Sequence, residues 1–484
     1  MAKLSRRAFV KTAGLAGAAF FAPAIDVLGA NEEIRVAVCG VNGKGMNDAR
    51  QFSKVPGVKL VALCDPDSAV LEKRIAEFAK GESPLKLDGH KDFREVLDRK
   101  DIDAVCIATP NHWHSLMAIL AIQAGKDVYV EKPLSHGLWE GRKVIEAARK
   151  YNRIVQVGTQ NRSDVGLMEF YPWMLEGNIG KVVKIRGLCY KERTGIGKLD
   201  KPLTPPDSLD YNLWLGPGQD EPIYRKRIHY DWHWSWNTGN GDIGNQGPHE
   251  FDLLRWAMGD QGVPTRVTGF GGRFAWDDAG ETPNMQFAAF DYNGIPALFE
   301  VRDLYLKPEL KASPNYAGIR IGVVITCEGG EFRGGRGGGW VYDNNGEKVR
   351  QFKGDGGGGH QANFIDAMRS RKIEDLNADV EKGHLSACMF HMANTSFRLG
   401  QSASPGALKE MMAEDKDSLE AIERFGAQLA DWNIDLEKTP WTAGVSLAFD
   451  PQTERYTGDG PIVEQANAML RREYRKPFVV PDAV

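Results

Sequence analysis

The sequence has little cysteine and no excess of basic charge. Six cysteines occur among 484 residues, with neither CxxC spacing nor a Cys/His cluster, so we predict no disulfide framework and no metal site. Lys and Arg number 61 against 65 Asp and Glu, and the net charge of -4 lacks the basic surplus of a phosphate-binding surface. We therefore expect no nucleic-acid partner.

Long hydrophobic runs are also missing. The apolar stretch TAGLAGAAFFAPAI spans about 14 residues, short of the ~20 that a membrane-spanning helix needs. It follows SRRAFVK, with the pair Arg6 and Arg7, and this arrangement resembles a twin-arginine export signal. We expect residues 1–30 to be a removable signal, cut after Ala24 or Ala30, and the mature protein to be periplasmic or otherwise exported, without stable membrane insertion. The alternative is that the arginine pair only caps an amphipathic helix.

Three of the cysteines lie near the ends of apolar, strand-like runs. Cys39, Cys64 and Cys106 each occupy such a position, where a buried thiol behaves as a small hydrophobic side chain. Twin-arginine substrates fold before export, in a reducing compartment. Free cysteines are therefore compatible with that route.

Short β-branched runs alternate with amphipathic segments from residue 34 onward. IRVAVCG, VKLVALCD, DAVCIATP, DVYVEKP and RIVQVGTQ are continuous apolar strands separated by helical patterns. Such strands are typical of a parallel sheet covered on both faces. We predict a doubly wound, Rossmann-type α/β domain over residues 31–155.

The pattern changes after Gln160, where longer and more alternating segments follow one another with few helices. These segments predict an α+β domain with a large, mostly antiparallel open sheet over residues 156–450, followed by a polar tail at 451–484. Helices return in HQANFIDAMRSRK and KGHLSACMFHMANTSFRLGQ. Glycine clusters at 334–339 and 356–359 are interpreted as surface loops.

A glycine-rich turn closes the first predicted strand, in VAVCGVNGKG. Gly40, Gly43 and Gly45 permit close approach of a pyrophosphate to the start of a helix, although Asn42 stands at the usual middle glycine, and Lys44 belongs to the same turn. Asp65 follows twenty residues after Gly45, at the end of the second strand, where a carboxylate accepts hydrogen bonds from ribose hydroxyls. It would repel a 2′-phosphate. We expect NAD as cofactor, in preference to NADP.

The ordered set GVNGKG, CDPD, ATPNHWH, VYVEKPLS and GNGDIGNQGPHEFD resembles the glucose–fructose oxidoreductase/inositol dehydrogenase (Gfo/Idh/MocA) family, from about residue 34 to about 405. This resemblance implies a Rossmann domain and a second domain whose open sheet carries the substrate site and often mediates oligomerisation. It therefore also implies a homo-oligomer.

The resemblance assigns residues to the cofactor and to the reaction. Those implied along the cofactor are Thr109, Pro110, Asn111, His114, Glu131, Lys132 and Gln160. Lys132 is also implied in the active site, with a cis Lys132–Pro133 bond. The physics agrees, because ligands of doubly wound sheets lie at the carboxyl ends of the strands. A lysine close to an oxidised nicotinamide and partly out of water is expected to have a lowered pKa.

His249, in GDIGNQGPHEFD, matches the family's active-site histidine, which takes the proton of the substrate hydroxyl. Many family members have Asp four residues earlier, where this chain has Asn245. An amide can orient the imidazole but cannot stabilise an imidazolium as a carboxylate does. It therefore stays open whether His249 or Lys132 is the main base.

Tryptophans are concentrated in HYDWHWSWNTGNGD. Trp232, Trp234 and Trp236 are two residues apart and on a strand would share one face, where they could stack on sugar rings. With Asp242 they indicate a carbohydrate or polyol substrate; the alternative is core or oligomer contacts. His360 and His391 are interpreted as packed or surface residues.

Export constrains the chemistry that these residues can perform. NAD is not freely available outside the cytoplasm, so an exported enzyme must keep its cofactor bound and close the redox cycle in its own site. We expect an NAD-dependent oxidoreductase acting on a CH–OH group of a sugar, polyol or glycoside. The alternatives are an NAD-dependent glycosidase that works through a transient 3-keto sugar, and a sugar-binding protein with a vestigial cofactor site.

Overall fold

The structure is a computed structural model, and it describes residues 33–80 and 84–484. The predicted export signal at residues 1–30 lies outside the described residues. Among the described residues, no helix has the length and apolar character needed to cross a membrane.

The N-terminal domain is built on a six-stranded parallel sheet in the order β3-β2-β1-β4-β5-β6. Strand order reverses between β1 and β4, which is the switch point of a doubly wound fold. Helices cover both faces, and the central strands β4 and β5 are buried throughout their length. The elements are β1 (Ile34–Cys39), α1 (Lys44–Phe52), β2 (Val58–Cys64), α2 (Ser68–Ala79), β3 (Asp88–His90), α3 (Phe93–Asp98), β4 (Ala104–Ile107), α4 (Asn111–Gln123), β5 (Asp127–Val130), α5 (Leu138–Lys150) and β6 (Val155–Val157).

The second domain is organised around a twelve-stranded sheet. Its main path is β14-β13-β12-β11-β7-β10-β9-β8-β16-β15, with β17 and β18 attached to β8, and every pair on it is antiparallel except β7 with β10. The strands are β7 (Val182–Cys189), β8 (Arg266–Gly272), β9 (Met285–Tyr292), β10 (Ile295–Arg302), β11 (Ile321–Cys327), β12 (Gly330–Gly335), β13 (Gly338–Tyr342), β14 (Lys348–Lys353), β15 (Gln401–Ala403), β16 (Trp441–Ala443), β17 (Leu447–Asp450) and β18 (Arg455–Thr457). The predicted fold class is confirmed.

Helices of the second domain lie on both faces of this sheet. They are α6 (Val165–Leu175), α7 (Tyr211–Leu215), α8 (Gly241–Asn245), α9 (Pro248–Ala257), α10 (His360–Ser370), α11 (Val380–Arg398), α12 (Pro405–Met411), α13 (Lys416–Asp431) and α14 (Pro461–Ala468), with 3-10 turns at Gln160–Ser163, Asp231–Trp234 and Ile373–Asp375. Side chains alternate along β9: Ala288 packs with α6, α9 and α11, whereas Phe287 packs with α12 and α13.

This packing limits the part of the second sheet that is available for the predicted oligomer contact. Helices α12 and α13 cover one face of β8, β9 and β10, so that part of the face is already buried within the chain. At the other end of the sheet, Arg333, Trp340 and Tyr342 are half-buried. Oligomerisation stays a prediction.

The predicted domain limits differ from the structure at two points. Strand β6 continues to Val157, beyond the predicted end at 155. The predicted tail at 451–484 contains β18 and α14, and its Phe478 and Val480 are buried in the core of the Rossmann domain. Helix α10 also packs on that domain, through Phe364 and Met368. Isolated apolar residues in a polar stretch carry no periodic signal, and for that reason the sequence did not reveal the docking.

The glycine cluster at 334–339 is a β-hairpin and not a surface loop as predicted. Gly334 of β12 pairs with Gly339 of β13, and a Cβ on Gly334 would lie 2.5 Å from the Gly338 carbonyl oxygen. The glycines are therefore required by close strand packing, while the turn itself is Arg336–Gly337. The cluster at 356–359 does form a loop. All six cysteines are free, and all six are buried, which was predicted only for Cys39, Cys64 and Cys106.

Candidate active site

A cavity of about 380 Å³ opens at the carboxyl ends of the Rossmann strands, between the two domains. Most of the predicted site residues meet there: Gly40, Asn42, Gly43, Lys44, Asp65, Thr109, Pro110, Asn111, His114, Glu131, Lys132, Trp232, Asn245 and His249. Four others do not line it: Gly45, Gln160, Trp236 and Asp242.

The glycine turn after β1 forms one end of the cavity. Gly40 has φ +82°, and a Cβ there would lie 2.6 Å from the Ala108 carbonyl oxygen; a Cβ on Gly45 would lie 2.0 Å from that of Gly40. Gly43 has open space where its Cβ would be, and it precedes α1 without a side-chain cap. The first N–H groups of α1 are therefore not capped by a side chain, beside room for an anion.

Asp65 lies at the end of β2 and is held by the backbone. Its Oδ2 accepts a hydrogen bond from Val41 N (2.9 Å) and its Oδ1 from Asp67 N (3.1 Å). Burial raises the pKa of Asp65, and these two bonds oppose the rise. A carboxylate has about four acceptor positions, so two remain for ribose hydroxyls.

The loops after β4 and β5 are joined by His114. Its ring nitrogens lie 2.6 Å from the Pro133 carbonyl oxygen and 2.8 Å from that of Thr109. Burial lowers the pKa of His114. The Lys132–Pro133 bond is cis, as predicted. His114 therefore fixes the cavity wall, while the buried Thr109 Oγ1 has no hydrogen-bond partner among the described residues.

Glu131 forms its ion pair with Lys44 and not with its neighbour Lys132. Lys44 Nζ lies 2.8 Å from Glu131 Oε1 and also contacts Asp48. Burial works against the charge of Lys44, but Glu131 and Asp48 together raise its pKa. Gln160 donates to Glu131 Oε1 (2.8 Å) from outside the cavity. Gln160 thus supports Glu131, in place of the direct cofactor contact predicted from the sequence.

Lys132 faces the second domain. Its Nζ donates to the Asn245 backbone oxygen (2.5 Å) and lies 3.4 Å from Asn245 Oδ1. Burial lowers the pKa of Lys132. Asn245 Nδ2 donates to Asp242 Oδ1 (2.9 Å), which fixes the amide with its oxygen toward the lysine. Asn245 therefore holds Lys132 and, within the described residues, forms no hydrogen bond with His249.

His249 completes the pair from the first turn of α9. Its Nδ1 is buried and has no hydrogen-bond partner within the described chain. Burial, followed by the charge of Lys132, holds the pKa of His249 well below its usual range. The imidazole is accordingly neutral and can accept a proton.

The tryptophan cluster differs from the prediction. Residues 231–234 form a 3-10 turn, so the three tryptophans do not share the face of a strand. Trp232 lines the cavity and stacks on His233 (3.7 Å between centroids). Trp236 instead lies against the Arg398 guanidinium, and Asp242 is ion-paired with Arg193. Spacing of two residues fits both a strand and an irregular turn, and this ambiguity explains the error.

A segment of the second domain, of which sequence reasoning found only the tryptophans, covers the cavity. We call residues 205–234 the cover segment; Trp214, His229 and Tyr230 line the cavity from it. Ser68 N donates to the Ser208 carbonyl oxygen (2.9 Å), and His229 Nε2 lies 2.8 Å from Asp67 Oδ2. The one available signal was the aromatic density of HYDWHW.

Two buried groups of potential metal ligands occur outside the cavity in the described structure. They are His384, Cys388 and Glu454, and Cys189, Asp242 and Asp303. Arg142 forms an ion pair with Glu454, and Arg193 forms one with Asp242. In each group an arginine side chain therefore already neutralises one of the carboxylates. The prediction of no metal stays a prediction.

The cavity fits a dinucleotide. An uncapped helix start with open space, the Asp65 carboxylate and a Thr109 hydroxyl without a partner in the described chain lie along one wall, and the Lys132–His249 pair lies where the Rossmann domain meets the second domain. A doubly wound sheet with these groups at its switch point defines a nucleotide-dependent oxidoreductase.

Comparison with known proteins makes this class specific. Residues 34–159 match the model of the Gfo/Idh/MocA oxidoreductase family with its NAD-binding Rossmann fold, and residues 219–332 match the family's C-terminal domain. In these two segments, which together make up just under half of its length, the chain is similar to the Gfo/Idh/MocA oxidoreductase family.

Curated relatives share only part of their length with this chain. A glycosyl hydrolase family 109 protein of Shewanella sp. is 35% identical over 132 residues, 27% of this chain and 28% of the relative. An alpha-N-acetylgalactosaminidase of Shewanella oneidensis is 35% identical over 122 residues, 25% of this chain and 27% of the relative. The chain thus matches little more than a quarter of these proteins.

Solved structures share the fold over a larger part. The WlbA dehydrogenase of Bordetella pertussis, in complex with NADH and UDP-GlcNAcA, superposes with TM-score 0.56 at 18% identity, covering 76% of this chain and 97% of that one. GenD2 from gentamicin A biosynthesis, in complex with NAD, superposes with TM-score 0.55 at 18% identity, and the match covers 75% of this chain and 93% of that one.

Proposed function

We propose that the protein oxidises a hydroxyl group of a sugar, polyol or glycoside, using an NAD that stays bound through successive turnovers. The proposal rests on Lys132 and His249, which both line the cavity that has the features for binding a dinucleotide. The Lys132 ammonium donates to Asn245, and the neutral imidazole of His249 has no hydrogen-bond partner at Nδ1 within the described residues. Asp65 favours NAD over NADP, because its carboxylate would repel a 2′-phosphate.

Each residue has a defined task in the proposed reaction. Lys132 Nζ donates a hydrogen bond to the substrate hydroxyl oxygen and stabilises the negative charge that develops there. His249 Nδ1 accepts the hydroxyl proton. When bound, NAD would accept the hydride that leaves the carbon bearing this hydroxyl. The stacked Trp232 and His233 offer an apolar wall for a ring.

The redox cycle follows from the proposed export, which rests on residues 1–30 alone. An exported protein cannot exchange its NAD, so the reduced cofactor must return its hydride to a second substrate or to the same one. The second case is the NAD-dependent glycosidase, and the family 109 relatives support it as the alternative. A panel of free sugars and aryl glycosides separates the two, because only the glycosidase releases the aryl group without net oxidation.

The proposed function requires a firmly held cofactor. We expect protein that has been dialysed extensively to release nicotinamide dinucleotide when denatured, and to show NADH absorbance when mixed with its sugar substrate. Asp65→Ala should weaken cofactor retention by about 1–3 kcal/mol, the range of charge-assisted hydrogen bonds. Absence of any dinucleotide from denatured wild-type protein would contradict the proposal.

The cover segment should slow cofactor release. His229→Leu removes the link to Asp67 and should raise the dissociation rate of NAD about 10-fold, the effect of losing one charge-assisted bond. Arg227→Leu is the matched control, since the ion pair of Arg227 with Asp231 stays within the segment. Dissociation is followed after addition of excess labelled NAD, and equal rates for wild type and His229→Leu would refute the role of the segment.

A further inference from the structure

Two lysine ammonium groups are held by adjacent residues beside the proposed reaction site. Lys132 Nζ donates to the Asn245 backbone oxygen, and Lys191 Nζ donates to Gln246 Oε1 at 3.0 Å. Both acceptors are uncharged amides. His249 lies one turn further along the chain, in α9. Lys191 is outside the lining of the cavity, but its charge acts to lower the pKa of both Lys132 and His249, so two positive charges are held side by side near these groups.

No carboxylate within the described residues lies at ion-pairing distance from either ammonium group, because the acidic groups nearby have other partners. Glu131 and Asp48 hold Lys44, and Asp242 holds Arg193. The remaining acid, Glu250, accepts from Gln246 Nε2 at 3.2 Å, and burial raises its pKa to about 8, so it is mostly uncharged at neutral pH. Within the described residues, Lys132 and Lys191 thus have no ion-pair partner of their own, although the charges of Glu131 and Asp242 act to raise the pKa of Lys132.

A third cation approaches from the hairpin of β12 and β13. Arg336 is exposed at the turn, and its Nε donates to the Gly356 carbonyl oxygen at 3.0 Å. After burial and Lys132, Arg336 is the next largest influence that lowers the pKa of His249. It likewise has no carboxylate partner in the described structure.

An ammonium group that has no ion-pair partner in a half-buried site is unfavourable unless a ligand supplies the counter-charge. Lysine ammonium groups are compact point charges that bind carboxylate, sulfate and phosphate oxygens. We infer that the substrate is an anionic sugar, whose acidic substituent binds at Lys191 while its reacting hydroxyl lies at Lys132 and His249. This inference rests on the proposed function and specifies its substrate class.

The test compares sugars that differ only in charge. The probes are methyl glucoside, methyl glucuronoside, and glucose sulfated or phosphorylated on its primary hydroxyl, together with the same series in galactose. Binding is measured by calorimetry and reduction of bound NAD by absorbance. We expect the anionic members to half-saturate at concentrations about 10- to 100-fold below the neutral parent, with the gap narrowing at high salt.

Variants assign the effect to Lys191. Lys191→Met should remove the preference for anionic members by raising KM while leaving kcat within about 3-fold, since Lys191 acts on affinity and not on the proton. Lys191→Arg should restore part of the preference. Lys198→Met, an exposed lysine on the same chain segment, is the control and should change neither constant.

The outcomes separate this inference from the proposed function. NAD reduction with no preference for charge, or equal behaviour of Lys191→Met and Lys198→Met, overturns the anion site and leaves the oxidoreductase standing. Binding of anionic sugars that depends on Lys191, without NAD reduction, supports the anion site and refutes the proposed reaction. Failure of every anionic probe to bind overturns the anion site as well.

Discussion

Replacing Lys132 with Met should leave bound NAD in place and slow its reduction by substrate about 10²–10⁴-fold, the usual loss for an acid–base group. In the cavity, Lys132 donates a hydrogen bond to the Asn245 carbonyl oxygen. The substitution removes the positive charge of Lys132 and replaces its side chain with one of similar volume. The fold should therefore persist. Single-turnover absorbance of wild type and variant measures the rate.

The matched control for Lys132→Met is Lys126→Met. Lys126 is also buried and donates only to backbone carbonyls, of Arg99 and Ile102, but it precedes β5 at the end of the strand remote from the cavity. Its loss should affect stability and not the reduction rate. An unchanged rate in Lys132→Met would contradict a role in the reaction and reduce Lys132 to a structural contact of Asn245.

His249→Ala shows which of the two groups carries the proton. Because Asn245 holds Lys132 and not the imidazole, His249 lacks the carboxylate-like partner that many family members have. A smaller loss in His249→Ala than in Lys132→Met would assign the main base to Lys132. A larger loss would assign it to His249.

The second large effect concerns stability and pH, and we expect Glu250→Gln to stabilise the protein increasingly between pH 5 and 8. Burial raises the pKa of Glu250 in the folded state from 4.5 to about 8. The folded state thus binds the proton more tightly than the unfolded state. The stabilisation from Glu250 is complete below about pH 4.5 and is lost as pH rises to about 8.

The magnitude of this loss is on the order of 4 kcal/mol at pH 8, from about 1.4 kcal/mol per pH unit. Gln keeps an acceptor for Gln246 and does not titrate, so the difference between the two unfolding curves isolates Glu250. The measurement is urea unfolding at several pH values. Glu309→Gln, at an exposed position, serves as control. Parallel pH dependence of wild type and Glu250→Gln would refute the assignment.

Much of the site was predictable because its residues follow directly on strands. Continuous apolar runs fix where β1, β2, β4 and β5 end, and parallel topology brings those ends together. Gly40, Asp65, Thr109 and Lys132 therefore meet in one cavity as expected.

The errors concern contacts that no local pattern encodes. The cover segment has no period, and its pairing of His229 with Asp67 joins residues far apart in the chain. Gln160 follows strand β6 and Trp236 lies three residues after His233 of the cavity, yet their side chains contact Glu131 and Arg398. Side-chain direction in turns depends on tertiary packing, which sequence spacing does not specify.

The docking of α10 and of residues 472–480 on the Rossmann domain sets an order of events during synthesis. Phe364, Met368, Phe478 and Val480 are parts of that domain's core, although the ribosome makes them long after β6. Domains generally form as the chain emerges, N-terminal first. We therefore expect the core of the nucleotide domain to be complete only once segments more than 200 residues downstream of β6 have been made. Cofactor binding would then be a late step of maturation.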